Sequence, residues 1–191
     1  MLKAVNITKK FGENTVLDNF TRDFADGKVT AVLGKSGCGK STLLNVLMGL
    51  VKPDGGEVIR GGERISAVFQ EDRLCENLTA SANIRLVTGK RYTRGEIAAE
   101  LAAVGLGDCA EKAVRELSGG MKRRTALLRA LLAEYDVLFL DEPFKGLDAD
   151  TKQTVLGYCK RKTAGKTVVF VTHDKDECAA LADEIIELRE G

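Results

Sequence analysis

The chain has 191 residues, and its 29 Lys and Arg against 28 Asp and Glu leave a net charge of +1, which gives no electrostatic footprint of a nucleic-acid binder. A hydrophobic share of 44% with 30% charged residues fits a folded chain of one domain, with room for an inserted lobe, and excludes a disordered one. No stretch approaches the ~20 apolar residues of a membrane span, and the opening Met1-Leu2-Lys3-Ala4-Val5-Asn6 lacks the apolar core of a signal peptide, so a cytosolic chain is expected. Cys38, Cys75, Cys109, Cys159 and Cys178 are scattered, with no Cys-x-x-Cys pair. They read as reduced thiols rather than a disulfide framework or a zinc site. A single histidine, His173, also speaks against a His-based metal site.

Residues 1–33 read as strands. Phe20, Arg22 and Phe24 alternate with Thr21 and Asp23, the pattern of a half-buried strand. Asp26-Gly27 marks a turn, and residues 29–33 follow as a buried strand. Phe11, in Lys9-Lys10-Phe11-Gly12, reads on its own as a core aromatic. Then comes Gly34-Lys35-Ser36-Gly37-Cys38-Gly39-Lys40-Ser41, which fits the phosphate-binding pattern G-x-x-x-x-G-K-[ST]. Residues 41–48 read as a helix with Leu43, Leu44 and Leu47 on one side, so the motif lies between a strand and a helix. Its glycines let the backbone curl, so that N–H groups and the helix N-terminus face phosphate oxygens. In this pattern Lys40 reaches the β- and γ-phosphates and the Ser41 hydroxyl ligates Mg²⁺.

Pro53-Asp54-Gly55-Gly56 breaks the chain, and short strands are expected at 57–60 and 65–69, separated by Gly61-Gly62. Residues 79–104 turn helical. Thr93-Arg94-Gly95-Glu96 reads as a capping box, and Ile97, Leu101 and Val104 as an apolar stripe. Leu117-Ser118-Gly119-Gly120 opens a helix expected over 121–133. Val137-Leu138-Phe139-Leu140 is an unbroken apolar run, as in a parallel strand covered on both faces, and it ends in Asp141-Glu142-Pro143. Asp148 can cap a helix over 149–163; a strand over 167–171 ends in Thr172-His173-Asp174; a short helix near 177–181 and a strand over 184–188 follow. Alternating strands and helices give an α/β fold with a mostly parallel sheet. Ligands of such sheets sit beyond the carboxyl ends of the strands, where the P-loop and Asp141 would both lie. Asp141 is then placed to hold Mg²⁺ and Glu142 to act on the attacking water, as base or orienting group. Nothing near Glu142 in sequence offers it a structural partner.

Taken together, these motifs resemble the ATP-binding cassette (ABC) ATPases, the nucleotide-binding subunits of ABC transporters, and the resemblance runs the length of the chain. The P-loop covers residues 34–41, with Thr42 beside it; Gln70 matches the Q-loop glutamine; Leu117-Ser118-Gly119-Gly120 matches the signature motif; Asp141 and Glu142 match the Walker-B aspartate and catalytic glutamate; Gly146-Leu147-Asp148 matches the D-loop; His173 matches the switch histidine; Phe11 matches the aromatic that stacks on adenine. The resemblance implies a P-loop NTPase core (about 1–70 and 126–191) with an N-terminal antiparallel β part and an inserted helical lobe (about 71–125), all one domain. It implies ATP and Mg²⁺ as ligands. Gly34, Lys35, Ser36, Gly37, Cys38, Gly39, Lys40, Ser41, Thr42 and Phe11 would hold nucleotide, and Ser41, Gln70 and Asp141 the metal. Lys40, Gln70, Glu142 and His173 would serve hydrolysis. Ser118, Gly119 and Gly120 would meet the γ-phosphate bound by a second subunit, so that two ATPs are sandwiched in a head-to-tail dimer.

Implied partners are integral membrane permease subunits, a second cassette (homodimer or paired) and, indirectly, a solute-binding protein, with no nucleic acid. The implied location is peripheral, on the cytoplasmic face of the membrane. Ser36-Gly37-Cys38-Gly39, Asp141-Glu142-Pro143-Phe144 and Thr172-His173-Asp174 look like importers of the nitrate, sulfonate and taurine group. An exporter or lipoprotein-release system and a soluble, non-transport ABC ATPase stay open as alternatives. Met121 stands where a glutamine usually follows the signature, Lys145 where serine is common, and Phe11 where tyrosine is usual. The segment 57–69 looks shortened, and the chain stops at Gly191 without a regulatory extension.

Overall fold

The apolar runs expected as strands have both faces covered, and each successive side chain enters a different core. In a computed structural model, which describes residues 1–61 and 64–188, the elements are β1 (Leu2–Phe11), β2 (Asn14–Phe24), β3 (Val29–Leu33), α1 (Lys40–Met48), β4 (Gly55–Arg60), β5 (Ile65–Val68), α2 (Ala80–Thr88), α3 (Arg94–Ala103), α4 (Gly119–Leu132), β6 (Val137–Asp141), α5 (Ala149–Thr163), β7 (Thr167–Thr172), α6 (Lys175–Leu181) and β8 (Glu184–Glu187). Part of the Gly61-Gly62 turn, and the last residues to Gly191, lie outside the described residues.

Five parallel strands form one sheet in the order β5-β6-β7-β3-β8, and β2-β1-β4 form a separate antiparallel sheet. Leu138, Leu140, Val168 and Phe170 face a core shared with α2 to α6. Val137, Phe139, Val169 and Val171 face the other way, into a core with Leu43, Leu44, Val46 and Leu47 of α1 and Leu2, Ala4, Ile7 and Leu17 of the antiparallel sheet. The period-2 alternation of a strand therefore fills two cores, which is why these strands read as nearly unbroken apolar runs. Helix α1 lies between the two sheets, which is why it is apolar on more than one side.

The helical region 79–104 is two helices, divided at the expected capping box. Thr79 caps α2 through a bond from the Ala82 N–H (3.0 Å), and Gly89, at φ +57°, closes it. The Thr93–Glu96 capping box then starts α3, with both reciprocal bonds made. Helix α4 begins two residues earlier than expected, because the Ser118 hydroxyl caps it directly and Gly119 and Gly120 form its first turn. A polar clasp ties α3 to α5: the Tyr158 hydroxyl donates to Glu100 (2.6 Å), whose other oxygen accepts from Lys162. Burial, and then the Glu100 carboxylate, push the Tyr158 hydroxyl well above its ordinary pKa. All five thiols are free and only Cys75 is exposed; burial raises Cys178 to about 11.

Candidate nucleotide site

Register sets the site. Leu33 pairs with Thr172, Val171 with Asp141 and Leu140 with Val68. The carboxyl ends of β3, β7, β6 and β5 therefore finish level. The residues that follow them, Gly34, His173, Glu142 and Gln70, line one cavity of about 750 Å³. Lys35, Ser36 and Cys38 line it on the P-loop side, and Lys145 and Lys175 add two exposed cations.

The P-loop is packed as tightly as its glycines allow. Gly39 sits at φ +95°, and a Cβ there would come within 2.7 Å of Val16 Cγ1 and 2.9 Å of the Val16 carbonyl oxygen. At Gly34 a Cβ would meet Cys38 Sγ at 2.5 Å. Glycine at 39 also means that α1 starts with no side-chain cap and no acidic residue in its first turn. Its first N–H groups and its positive end are left for an anion. The Lys40 ammonium is buried and donates to the carbonyls of Gly34 and Lys35, each at 2.7 Å, so the loop's own backbone holds it in place.

Behind the loop, Asp141 Oδ1 is buried with no hydrogen-bond partner among the described residues. Burial raises the Asp141 pKa and a hydrogen bond from Ser41 works against it, while the neighbouring Glu142 charge adds to the rise. A bare buried oxygen beside a serine hydroxyl is a hard-cation donor set.

Glu142, which has no partner near it in sequence, finds its partners across the fold. His173 Nδ1 lies 3.0 Å from both of its carboxylate oxygens, and Lys40 Nζ is 4.0 Å from one. With the carboxylate accepting, the Nδ1–H donates. Glu142 also has a left-handed backbone, φ +46°, which few non-glycine residues adopt. The turn after β7 is pinned by the Asp174 N–H on Thr172 Oγ1, by Thr172 Oγ1 donating to Glu177, and by Asp174 capping α6. Lys152 of α5 pairs with Asp174 and Glu177 and secures that turn from outside.

Two expected regions stand apart from the cavity lining. Phe11 is exposed at the β1–β2 hairpin, with Lys9 over its ring, and does not line the cavity; it is not a core residue either. Ser118 and Gly119 are exposed at the start of α4, where Ser118 Oγ accepts from the Met121 N–H (3.3 Å), and a Cβ on Gly120 would lie 3.7 Å from the Gly146 carbonyl oxygen. Sequence reasoning missed Arg123. It sits in the basic run Lys122-Arg123-Arg124, which reads as a solvated face, yet it is 4% exposed and bonds to the carbonyls of Phe69, Gln70, Asp141 and Glu142. Its place one turn before Leu127, on the buried stripe of α4, was the available signal.

A buried P-loop lysine, a strand-end Asp-Glu pair and a histidine at the level edge of a parallel sheet define a P-loop nucleoside-triphosphate hydrolase. The sequence profile of the ABC transporter family matches residues 17–145, and the chain belongs to that family as an ATP-binding, ATP-hydrolysing cassette. It is 42% identical over 187 residues to the aliphatic sulfonates import ATP-binding protein SsuB 3 of Paraburkholderia xenovorans, covering 97% of this chain and 75% of that one. It is 38% identical over 203 residues to the Fe(3+) ions import ATP-binding protein FbpC of Brucella melitensis, of which it covers 58%. Among solved structures it is similar to the dimeric post-hydrolysis state of the ATP-binding cassette MJ0796 bound to ADP and Pi, with TM-score 0.88, 31% identity, and 100% of this chain and 95% of that one covered. No helix among the described residues is long and apolar enough to cross a membrane.

Proposed function

We propose that this cassette is the ATPase subunit of a membrane importer, resting on the cytoplasmic face against integral permease subunits and served indirectly by a solute-binding protein. Similarity to sulfonate and ferric-ion import proteins supports the direction of transport. ATP binds with its phosphates on the P-loop N–H groups and Lys40, and Phe11 stacks on the adenine. Ser41, Asp141 and Gln70 hold Mg²⁺; the orphaned Asp141 Oδ1 supports that assignment. The metal, when bound, neutralises charge on the β- and γ-phosphates.

Glu142 orients the attacking water and accepts its proton. His173 holds that carboxylate through Nδ1–H; a bond from Nε2 to the γ-phosphate requires the imidazolium, in which both ring nitrogens donate. Gln70, in contact with Mg²⁺ or water at the entry to the lobe at about 71–125, reports to that lobe, and the lobe passes the motion to the permease. Ser118, Gly119 and Gly120 close over the ATP of a second cassette.

The observation that carries the hydrolytic reading is the two-oxygen contact of His173 with Glu142 at the level strand ends. Glu142→Gln tests it, since it keeps the shape and removes the charge. Hydrolysis falls on the order of 10²-fold or more, the scale of general-base loss. ATP binding persists, and with ATP and Mg²⁺ the variant runs as a dimer on a sizing column. Adding Ser118→Arg abolishes that dimer. Rapid turnover by Glu142→Gln overturns the assignment.

A further inference from the structure

Arg123 is the most heavily bonded side chain near the site, and the reaction scheme above leaves it without a task. Nη1 donates to the Phe69 carbonyl (2.6 Å), the Gln70 carbonyl (3.3 Å) and Asp72 Oδ1 (3.1 Å). Nη2 donates to the carbonyls of Asp141 (2.8 Å) and Glu142 (2.7 Å). One arm of the fork thus holds the Gln70 segment, and the other holds the end of β6. The stem springs from α4, whose first turn carries Ser118, Gly119 and Gly120.

Glu142 needs such a restraint. A left-handed glutamate persists only where its surroundings over-determine it, and here φ is +46°. Its N–H is fixed by the Val171 carbonyl (3.1 Å) and its side chain by His173. Its own carbonyl accepts from Lys145 N–H at 3.2 Å and from Arg123 at 2.7 Å. The guanidinium supplies the shorter of these two bonds. It is 4% exposed, so its hydrogen bonds run to backbone and to one carboxylate, with little water to replace them.

We propose that Arg123 is a positioning residue for hydrolysis: its fork fixes the strained Glu142 backbone and the Gln70 segment against α4, so that both side chains are presented to the γ-phosphate in one geometry. The proposal rests on the reading of Glu142 as the water-orienting group. Lysine cannot reproduce it, because a single ammonium cannot span the two sets of carbonyls that a planar fork reaches. A misplacement of about 1 Å in a reacting constellation lowers rate by as much as ~10²-fold while leaving distant binding contacts intact.

The test uses the whole chain, with hydrolysis at saturating ATP and Mg²⁺, affinity for trinitrophenyl-ATP, and the unfolding midpoint. Arg123→Lys is expected to keep nucleotide affinity within about twofold while kcat falls about tenfold or more. In the Glu142→Gln background the same substitution should cost clearly less than it does alone, because part of what Arg123 does is exerted through Glu142 and only its hold on the Gln70 segment remains to be lost. A folded Arg123→Lys with wild-type kcat overturns the proposal, and so does a loss that multiplies in the double variant. Arg123→Gln is the second variant. If neither variant folds, the fork is a structural strut alone and the proposal falls. Rapid turnover by Glu142→Gln by itself would instead defeat the underlying reading of Glu142, so the two failures are distinguishable.

Discussion

Two helices in this chain start on glycine-rich turns, and their first turns are built in opposite ways. Helix α1 has glycine at its cap position, with no side chain accepting from its first N–H groups. It is enclosed by the two sheets, and a lysine from its own first turn is held by the loop's carbonyls. Helix α4 has Ser118 at its cap, accepting from Met121, and its first residues are exposed. A cap and an external anion compete for the same N–H groups. Helix α1 leaves those groups open to an anion, beside the lysine of its own first turn. Helix α4 satisfies one donor itself and presents Gly119 to solvent, with Gly120 partly covered behind it, which suits a phosphate arriving from another molecule.

The largest break in that comparison is at Lys40. It is the one cation held inside the P-loop, and it also satisfies two of the loop's carbonyls. Lys40→Ala should therefore weaken ATP binding and lower hydrolysis by about 10²- to 10³-fold, the scale for losing one preorganised charge-stabilising donor. Equilibrium nucleotide binding and steady-state phosphate release measure the two effects. Unchanged affinity and turnover would remove the P-loop as the seat of the chemistry.

The difference between the two helix starts also shows where sequence is readable. The strand before the P-loop, the apolar side of α1 and the capping box of α3 are local patterns, and they are legible because the energies behind them act within a few residues. The parallel, level strand ends are partly legible: unbroken apolar runs announce strands covered on both faces. The order β5-β6-β7-β3-β8 is not, because it depends on which strand finds which neighbour across long loops. The contacts of Glu142 with His173 and Lys40 join residues far apart in sequence, and no period or spacing reports them. Arg123 was hidden for a different reason. A basic residue between two others reads as solvated, and only the burial of its one-turn neighbour Leu127 hints otherwise. The early start of α4 was missed because glycine is a poor helix former, and at that position Ser118 outweighs propensity.

A smaller effect separates the two helix starts thermodynamically. Ser118→Ala removes the cap bond to Met121 and should cost about 0.5–2 kcal/mol of stability, read as a lower midpoint in urea with an unchanged slope. Helix α1 has no such side chain to lose. If Ser118→Ala is neutral for stability, the hydroxyl is not acting as a cap, and the two helix starts do not differ in this respect.

The smallest effect has the opposite sign and is the sharpest. A Cβ at Gly119 would meet nothing within 4 Å, and its φ is not positive, so the isolated chain has no reason to require glycine there. Gly119→Ala should stabilise the free chain by about 0.4–1 kcal/mol, chiefly by restricting the unfolded state. Gly39 differs on both counts: its φ is +95° and a Cβ would press on Val16, so Gly39→Ala should destabilise. The glycine at 119 then needs another explanation, and the second cassette supplies one. On the function proposed above, the open space over Gly119 would take the γ-phosphate of a second cassette, and a methyl group would hold that phosphate away from the N–H groups. Gly119→Ala in the Glu142→Gln background should therefore raise the unfolding midpoint without nucleotide and weaken the ATP-dependent dimer seen by sedimentation. The two readings must move in opposite directions. A variant that is more stable and dimerises as well as its parent would show that the start of α4 does not receive phosphate, and the two glycine-rich turns would then share composition without sharing a task.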